Sequence, residues 1–480
     1  MKLRLGLGVL GVVGLVACGS GSAGPTGPQG LQGPPGQQGQ AGSSGGGGTA
    51  SISGVEPSVG YLARTIHVTL SGYGTSWTSA TTIDFGAGIT VANVHAASPT
   101  ALVADVTIDG AATLGPRDVV VTDGATKETY SQSFTIAPPA TVQMEGSLAQ
   151  GAVAVANVQL NDITTPFDTT GSTDPLSGQT TYTNLAVTAP KGVTAIIETA
   201  TPFSVQVLFE VDVDAPAAAA DFSLVSGPAG DASDPTYPAP GALTVAARKA
   251  TALGTSPASG TIKTAYDSAL YTFTPGASLS IVDLLATSSG TAADPGFVLL
   301  PKSGHFADIV GFFDAESGDG TNAATTLLPT SADPYYVIYW DGTGSTGAYT
   351  VGATTTAPAA TAATTAADGS KAGAVDATAL PFVLTGGNLT SETATDWVKV
   401  TIPANGTLHV QTVGDSLTDL SVSLYETDGT TPVGDAFDSG GLVDTTFGPV
   451  TSAGTYYVVF SAGVFYDPAD GTYQAILRLQ

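Results

Sequence analysis

The chain has 480 residues, enough for three or four domains at roughly 100–150 residues each, with a total core large enough to need no disulfides. Only 11% of positions are charged, against a usual ~25%, and a single residue is cysteine, which excludes a coiled coil or a strongly charged disordered tail. Forty acids against 13 bases give a formal charge of -27, which opposes nucleic acid and anionic headgroups because both require Lys and Arg to neutralise phosphate.

Residues 1–17 read as a signal peptide. Lys2 and Arg4 form a short cationic start, and Leu5 to Val16 is an uncharged run of twelve. A helix of that length rises about 18 Å, too little to cross a ~30 Å hydrocarbon core. Leu15-Val16-Ala17-Cys18 follows at once and resembles the bacterial lipobox. That resemblance implies cleavage before Cys18 and acylation of its thiol and new amino group, so that Cys18 carries the lipid. Several acyl chains give stable anchoring, at ~0.8 kcal/mol per buried CH₂. Removing the peptide also removes Lys2 and Arg4, so acyl chains and not headgroup attraction must hold the mature chain. Gly19, in place of an aspartate after the cysteine, is what the family's sorting rule associates with the outer membrane. The expected location is therefore the cell envelope, with the surface or periplasmic face left open.

Residues 18–50 join this anchor to the rest of the chain. From Gly21 a glycine recurs at every third position to Gly45, with Pro25, Pro28, Pro34 and Pro35 between. Only glycine fits the axis of a triple helix, so the run resembles a short collagen-like repeat. Two readings stand: a homotrimeric stalk, or a monomeric spacer rising ~3.1 Å per residue.

From residue 51 onwards the pattern alternates. Runs such as Thr65 to Leu70, Val119 to Val121, Ser204 to Leu208 and Ser421 to Leu424 are short, rich in β-branched residues and closed by Gly, Asp or Pro. They predict an all-β chain of sandwiches with no amphipathic helix. Residues 51–137 contain Val55-Glu56-Pro57 with Gly60, Val68 to Gly74, Asp84-Phe85-Gly86 and Gly115-Pro116-Arg117-Asp118-Val119. These resemble the immunoglobulin-like IPT/TIG class, whose domains are binding or spacer modules. Pro138-Pro139 marks a junction, a further sandwich is expected over 141–250, and another junction lies around Ala247 to Ser256.

The C-terminal half repeats itself. Tyr271-Thr272-Phe273 matches Val398-Lys399-Val400, and Asp294 to Leu300 matches Asp419 to Tyr425. Tyr335-Tyr336-Val337-Ile338, with Tyr349, matches Tyr456-Tyr457-Val458-Val459, with Tyr473. Two similar sandwiches are therefore expected, over 256–353 and 375–480, joined by an Ala/Thr-rich linker over 354–374. Both resemble bacterial pre-peptidase C-terminal (PPC) domains, jelly-roll-like sandwiches often appended to secreted proteases. Residues 141–250 can be read as a worn third copy.

No peptidase accompanies them in the sequence. His67, His95, His305 and His409 lie far apart, so no HExxH helix can be written. The matches to G-x-S-x-G at Gly42 to Gly46 and to a dinucleotide fingerprint at Gly6 to Gly11 fall in low-complexity sequence and in the signal peptide. Asp314, Glu316 and Asp319 put three carboxylates in a Gly-rich loop, which can be read as a Ca²⁺ site or as a solvated turn. Glu210, Asp212 and Asp214 are read as alternating on one strand face, and Asp467 and Asp470 precede the last strand. Trp77, Trp340, Trp397 and the paired tyrosines are candidates either for glycan contact or for core packing.

The expectation is a non-catalytic, envelope-anchored lipoprotein with no cofactor other than this optional calcium. Its sandwiches would serve adhesion or cell-surface and matrix contact. The alternative is a binding accessory for polysaccharide or exported hydrolases.

Overall fold

A computed structural model describes residues 49–175, 178–228, 233–276, 279–289, 294–314, 322–329, 331–341, 344–365, 367–391, 393–414, 420–437, 443–462 and 472–480. The chain is all-β, as its alternation predicts. Among the described residues the helical pieces are two three-residue 3₁₀ turns, Phe306–Asp308 and Lys371–Gly373, and no helix is long and apolar enough to cross a membrane. The chain divides into two compact units, one up to Ala247 and one from Arg248.

The first unit opens with two four-stranded sheets. One runs in the order Ser51–Glu56, Thr65–Tyr73, Ala101–Ile108, Ile89–Ser98, the other Val59–Tyr61, Thr126–Ala137, Gly115–Asp123, Thr82–Asp84. Val68 and Leu70 on one strand and Leu102, Ala104, Val106 and Ile108 on its neighbour point inward with period two. They meet Val119, Val121 and Phe134 from the second sheet, with Phe85 edge-on to Phe134 at 4.9 Å.

Residues 140–244 build the next sandwich from Val193–Thr201, Ser204–Val211, Ala152–Leu160 and Ala140–Glu145 against Leu185–Thr188, Ala219–Ser226 and Thr236–Thr244. Arg64 reaches from the first sandwich into this one. Its Nε donates to Asp162 Oδ2 at 2.7 Å, its Nη1 to Thr236 O at 2.8 Å, and its guanidinium lies 4.7 Å from the Tyr237 ring centre. Burial pushes the Asp162 carboxyl up, but hydrogen bonds from Thr164 and Arg64, with the Arg64 charge, outweigh it and hold Asp162 below its ordinary value.

The second unit contains two sandwiches whose five-stranded sheets match in topology. In the first, a five-stranded sheet runs Thr251–Ala252, Ala269–Phe273, Tyr335–Asp341, Pro295–Leu300, Gly311–Asp314. In the second the order is Val375–Ala377, Thr395–Ile402, Gly454–Ala462, Leu420–Tyr425, Pro432–Phe437. In both sheets the first strand pairs in parallel and the rest antiparallel. The registers also agree: Tyr336 lies opposite Thr272 and Leu300, as Tyr457 lies opposite Lys399 and Tyr425.

Each of these sandwiches also seats a tyrosine on a glycine. A Cβ at Gly260 would lie 2.4 Å from the Tyr349 ring, and one at Gly387 would lie 2.5 Å from that of Tyr473. The Tyr349 hydroxyl meets that of Tyr271 at 2.8 Å, and the Tyr473 hydroxyl donates to buried Asp396 at 2.6 Å. Burial, then the Tyr271 hydrogen bond, pushes the Tyr349 phenol far above its ordinary value, and burial pushes Tyr339, stacked on it at 4.0 Å, up to about 12.

The second sandwich packs its other sheet against its neighbour. That sheet runs Ala360–Ala363, Phe382–Asn388, Thr472–Leu479, Leu408–Gly414, Asp444–Phe447. Val383 and Ile476 on it meet Ile281 and Leu328, and Arg478 donates to both Asp283 oxygens at 2.9 and 2.8 Å.

The Ala/Thr-rich segment 354–374 is a correction to the sequence reading. It is not a free linker: Thr354–Thr356 finish strand Gly347–Thr356, and Ala360–Ala363 pairs in parallel with Phe382 to Thr385. Asp368, 2% exposed, closes the following turn by accepting from Thr365 N at 2.8 Å. Alanine and threonine tolerate either side of a sheet edge, so no hydrophobic alternation marks this strand. Thr251–Ala252 is likewise a short strand and not part of a junction.

Candidate aromatic face of the last sandwich

The outer face of the five-stranded sheet in residues 375–462 carries three aromatic side chains, Trp397, Tyr425 and Tyr457, with Lys399 beside them, while Phe382, Phe447, Tyr456, Phe460 and Tyr473 of the same sandwich are in its core. Side chains on a strand alternate, so inward Val398, Val400, Val422, Leu424, Val458 and Phe460 leave Trp397, Lys399, Ser423, Tyr425, Tyr457 and Val459 on the other side. Cross-strand register sets them in two rows. Asp376, Lys399, Tyr457 and Tyr425 form one, and Trp397, Val459, Ser423 and Asp435 the next.

Within these rows the rings touch. Trp397 stacks on Tyr425 with ring centres 6.0 Å apart and planes 16° from parallel, and it meets Tyr457 edge-on, also at 6.0 Å. The indole N–H donates to Thr395 Oγ1 at 3.1 Å on its own strand, so no core partner draws the ring inward. Trp397 and Tyr425 are half-buried, and Tyr457 between them is buried.

Both lysines of residues 360–480 lie on this face, the other base being Arg478. Lys399 Nζ pairs with Asp376 at 2.7 Å, a hydrogen bond and ion pair that hold the ammonium above its ordinary value. Lys371 Nζ donates to Thr427 O at 2.7 Å and lies 5.2 Å from the Tyr457 ring centre. Beside them the turn after Tyr425 is fastened by Asp428, which accepts from the N–H groups of Thr430 and Thr431 at 2.8 Å and from the Thr431 hydroxyl at 2.5 Å. These bonds, the Thr431 hydroxyl first, hold the Asp428 carboxyl far below the usual range.

The other sequence candidates fall elsewhere. Cys18 and Gly21 to Gly45 lie outside the described residues, as do Glu316, Asp319, Asp467 and Asp470. Asp314 ends strand Gly311–Asp314. Glu210 is the only one of its trio on a strand, because Ser204–Val211 ends before Asp212 and Asp214 enter the turn that follows. That corrects the reading of three acids on one strand face.

The histidines belong to other elements. His67 points outward and pairs with Asp105 across the sheet. His409 Nε2 meets Asp444 Oδ1 at 2.5 Å, while Gln411 Nε2 donates to Asp444 Oδ2 at 2.6 Å. Burial pushes Asp444 up, but the His409 and Gln411 bonds and the nearby positive charges leave it below its ordinary value. Of the tryptophans, Trp77 and Trp340 are buried at 3% and 4% exposure, which leaves Trp397 on a half-open surface. Tyr425 was not singled out in the sequence as a binding candidate; only the strand register, which sets it opposite Tyr457, brings it onto this face.

No protein-family model and no curated protein matches the chain. Among solved structures, it is similar to the pre-peptidase C-terminal domain of a collagenase from Bacillus anthracis, at 18% identity over 22% of this chain and 96% of that one, TM-score 0.19. It is also similar to SGBP-B of the Bacteroides ovatus mixed-linkage glucan utilization locus, solved with a mixed-linkage heptasaccharide, at 12% identity over 62% of this chain and 72% of that one, TM-score 0.15. The I9–I11 tandem of titin is similar at 7% identity over 64% of this chain and 97% of that one, TM-score 0.18. At these identities and scores, none of the three bears on what this chain does.

Proposed function

We propose that the chain is a non-catalytic binding protein of the bacterial envelope, anchored through acyl chains on Cys18, whose β-sandwiches offer contact surfaces for adhesion or matrix attachment. The observation that carries this reading is the outer face of residues 375–462. There, Trp397, Lys399, Tyr457 and Tyr425 occupy the sheet positions that the sister sandwich fills with Leu270, Thr272, Tyr336 and Leu300, and Lys371 reaches the Tyr457 ring from a neighbouring 3₁₀ turn. Rigid aromatics flanked by fixed polar groups are the side chains that binding surfaces favour, because little entropy is lost on contact.

Two experiments test the reading. Cys18→Ala is expected to move the protein from the membrane pellet to the soluble fraction, and a variant that stays in the pellet refutes the anchor. Protease shaving of intact cells, followed with an antibody to the last sandwich, is expected to remove the signal while a periplasmic control survives. Full protection would exclude adhesion to outside surfaces.

A further inference from the structure

Building on this binding reading, we infer that the Trp397 face takes a neutral polysaccharide, with pyranose rings laid against Trp397 and Tyr425. The first argument is chemical. A pyranose presents C–H groups on its faces and hydroxyls at its edge, which suits an aromatic ring bordered by both donors and acceptors. Trp397 and Tyr425 supply the rings, while Lys399 with Asp376 and Ser423 with Asp435 supply the borders in the same two cross-strand rows.

Charge decides between neutral and acidic chains. Lys399 is already neutralised by Asp376, and Lys371 is committed to Thr427 O and the Tyr457 ring. Exposed Glu426, Asp428 and Asp435 flank the rings, and the whole chain carries -27. A polyanion would meet repulsion here; a polyhydroxyl chain would not.

The face is also pre-arranged. The Asp428-fastened turn holds Tyr425 at its base, and the Lys371 stem fills the space over Gly429, where a Cβ would lie 2.6 Å from Lys371 Cδ. The contact between the two sandwiches of this unit uses the other sheet, through Val383, Ile476 and Arg478, and leaves the aromatic rows out of it.

The test is affinity electrophoresis of the full-length protein through native gels containing hydroxyethylcellulose, dextran or polygalacturonate. Retardation by at least one neutral polymer and not by polygalacturonate is expected. Trp397→Ala and Tyr425→Ala should each weaken it about tenfold or more, as truncation of an aromatic anchor does. Trp397→Phe should keep part of the affinity, and thermal unfolding of each variant should match the parent, which separates lost binding from lost folding. No retardation by a neutral polymer, retardation by polygalacturonate alone, or equal retardation of parent and variants overturns the inference.

Attachment of cells displaying the same variants to protein-coated surfaces separates this from the parent reading. Trp397-dependent attachment without neutral-polymer retardation overturns the polysaccharide and keeps adhesion. Absence of both overturns the two together.

Discussion

Residues 251–356 and 360–479 fold as two sandwiches whose five-stranded sheets share strand order and register, yet the outer faces of those two sheets are built from different chemistry. In the first, Leu270, Val298, Leu300, Ile338 and Trp340 occupy that face and all are at most 4% exposed. In the second, the register places Trp397 where Leu270 stands, Ser423 for Val298, Tyr425 for Leu300 and Ser461 for Trp340. The inner faces are alike: Val337 and Tyr339 in one correspond to Val458 and Phe460 in the other, all buried. Interior alternation is therefore what the fold requires, and the outer face is free to vary with the task.

Exchanging the divergent residues should break this comparison most sharply. Trp340→Ser gives the first sandwich the residue of the second and should cost about 3–5 kcal/mol, because a buried indole leaves a cavity. Ser461→Trp, on a half-buried position, should shift unfolding by about 1 kcal/mol or less. Calorimetric unfolding of both variants checks the pair; equal losses would mean that the two faces are equally buried in solution.

The shared interior predicts the opposite symmetry. Gly260→Val and Gly387→Val both drive a side chain into a tyrosine ring and should each destabilise by about 1–3 kcal/mol, measured by denaturant midpoint. A loss at one glycine alone would show that the tyrosine seats are not equivalent.

A smaller effect, confined to the second sandwich, comes from Asp396. Burial pushes its carboxyl above the ordinary value, and the Asp368 charge adds to this, while the Tyr473 hydrogen bond opposes it. The folded state therefore holds the proton more tightly than the unfolded chain. That contribution to stability is complete below the unfolded value of about 3.9 and is lost as pH rises through the folded value. In Asp396→Asn the loss is absent, so the variant should gain on the parent in melting temperature between pH 3 and pH 7. A constant difference across that range would contradict the assignment.

Much of this was legible in the sequence, for identifiable reasons. Strands with strict alternation, such as Thr65–Tyr73 and Thr395–Ile402, announce themselves because one side chain in two must be apolar. The tyrosine repeat pointed to Tyr336 and Tyr457, whose equivalence is visible in pairing. Ala360–Ala363 left no such mark, since its small side chains suit either face. The partial exposure of Trp397 was beyond sequence for a different reason. Its strand neighbours reveal that it alternates outward, but whether an outer face is covered depends on tertiary packing, and Trp340 alternates outward too and is buried.

The short strand Val59–Tyr61 runs parallel to the end of Thr126–Ala137, near the start and finish of the first sandwich. A pull applied through residues 51 and 137 drags these two strands past one another lengthwise, so their hydrogen bonds bear the load together. A pull through Ser51 and Tyr73, which are direct partners on antiparallel strands, opens the bonds one after another. The first direction should resist a markedly higher force in single-molecule stretching, and equal forces would remove the distinction. A module of this geometry transmits tension along the chain with little yielding.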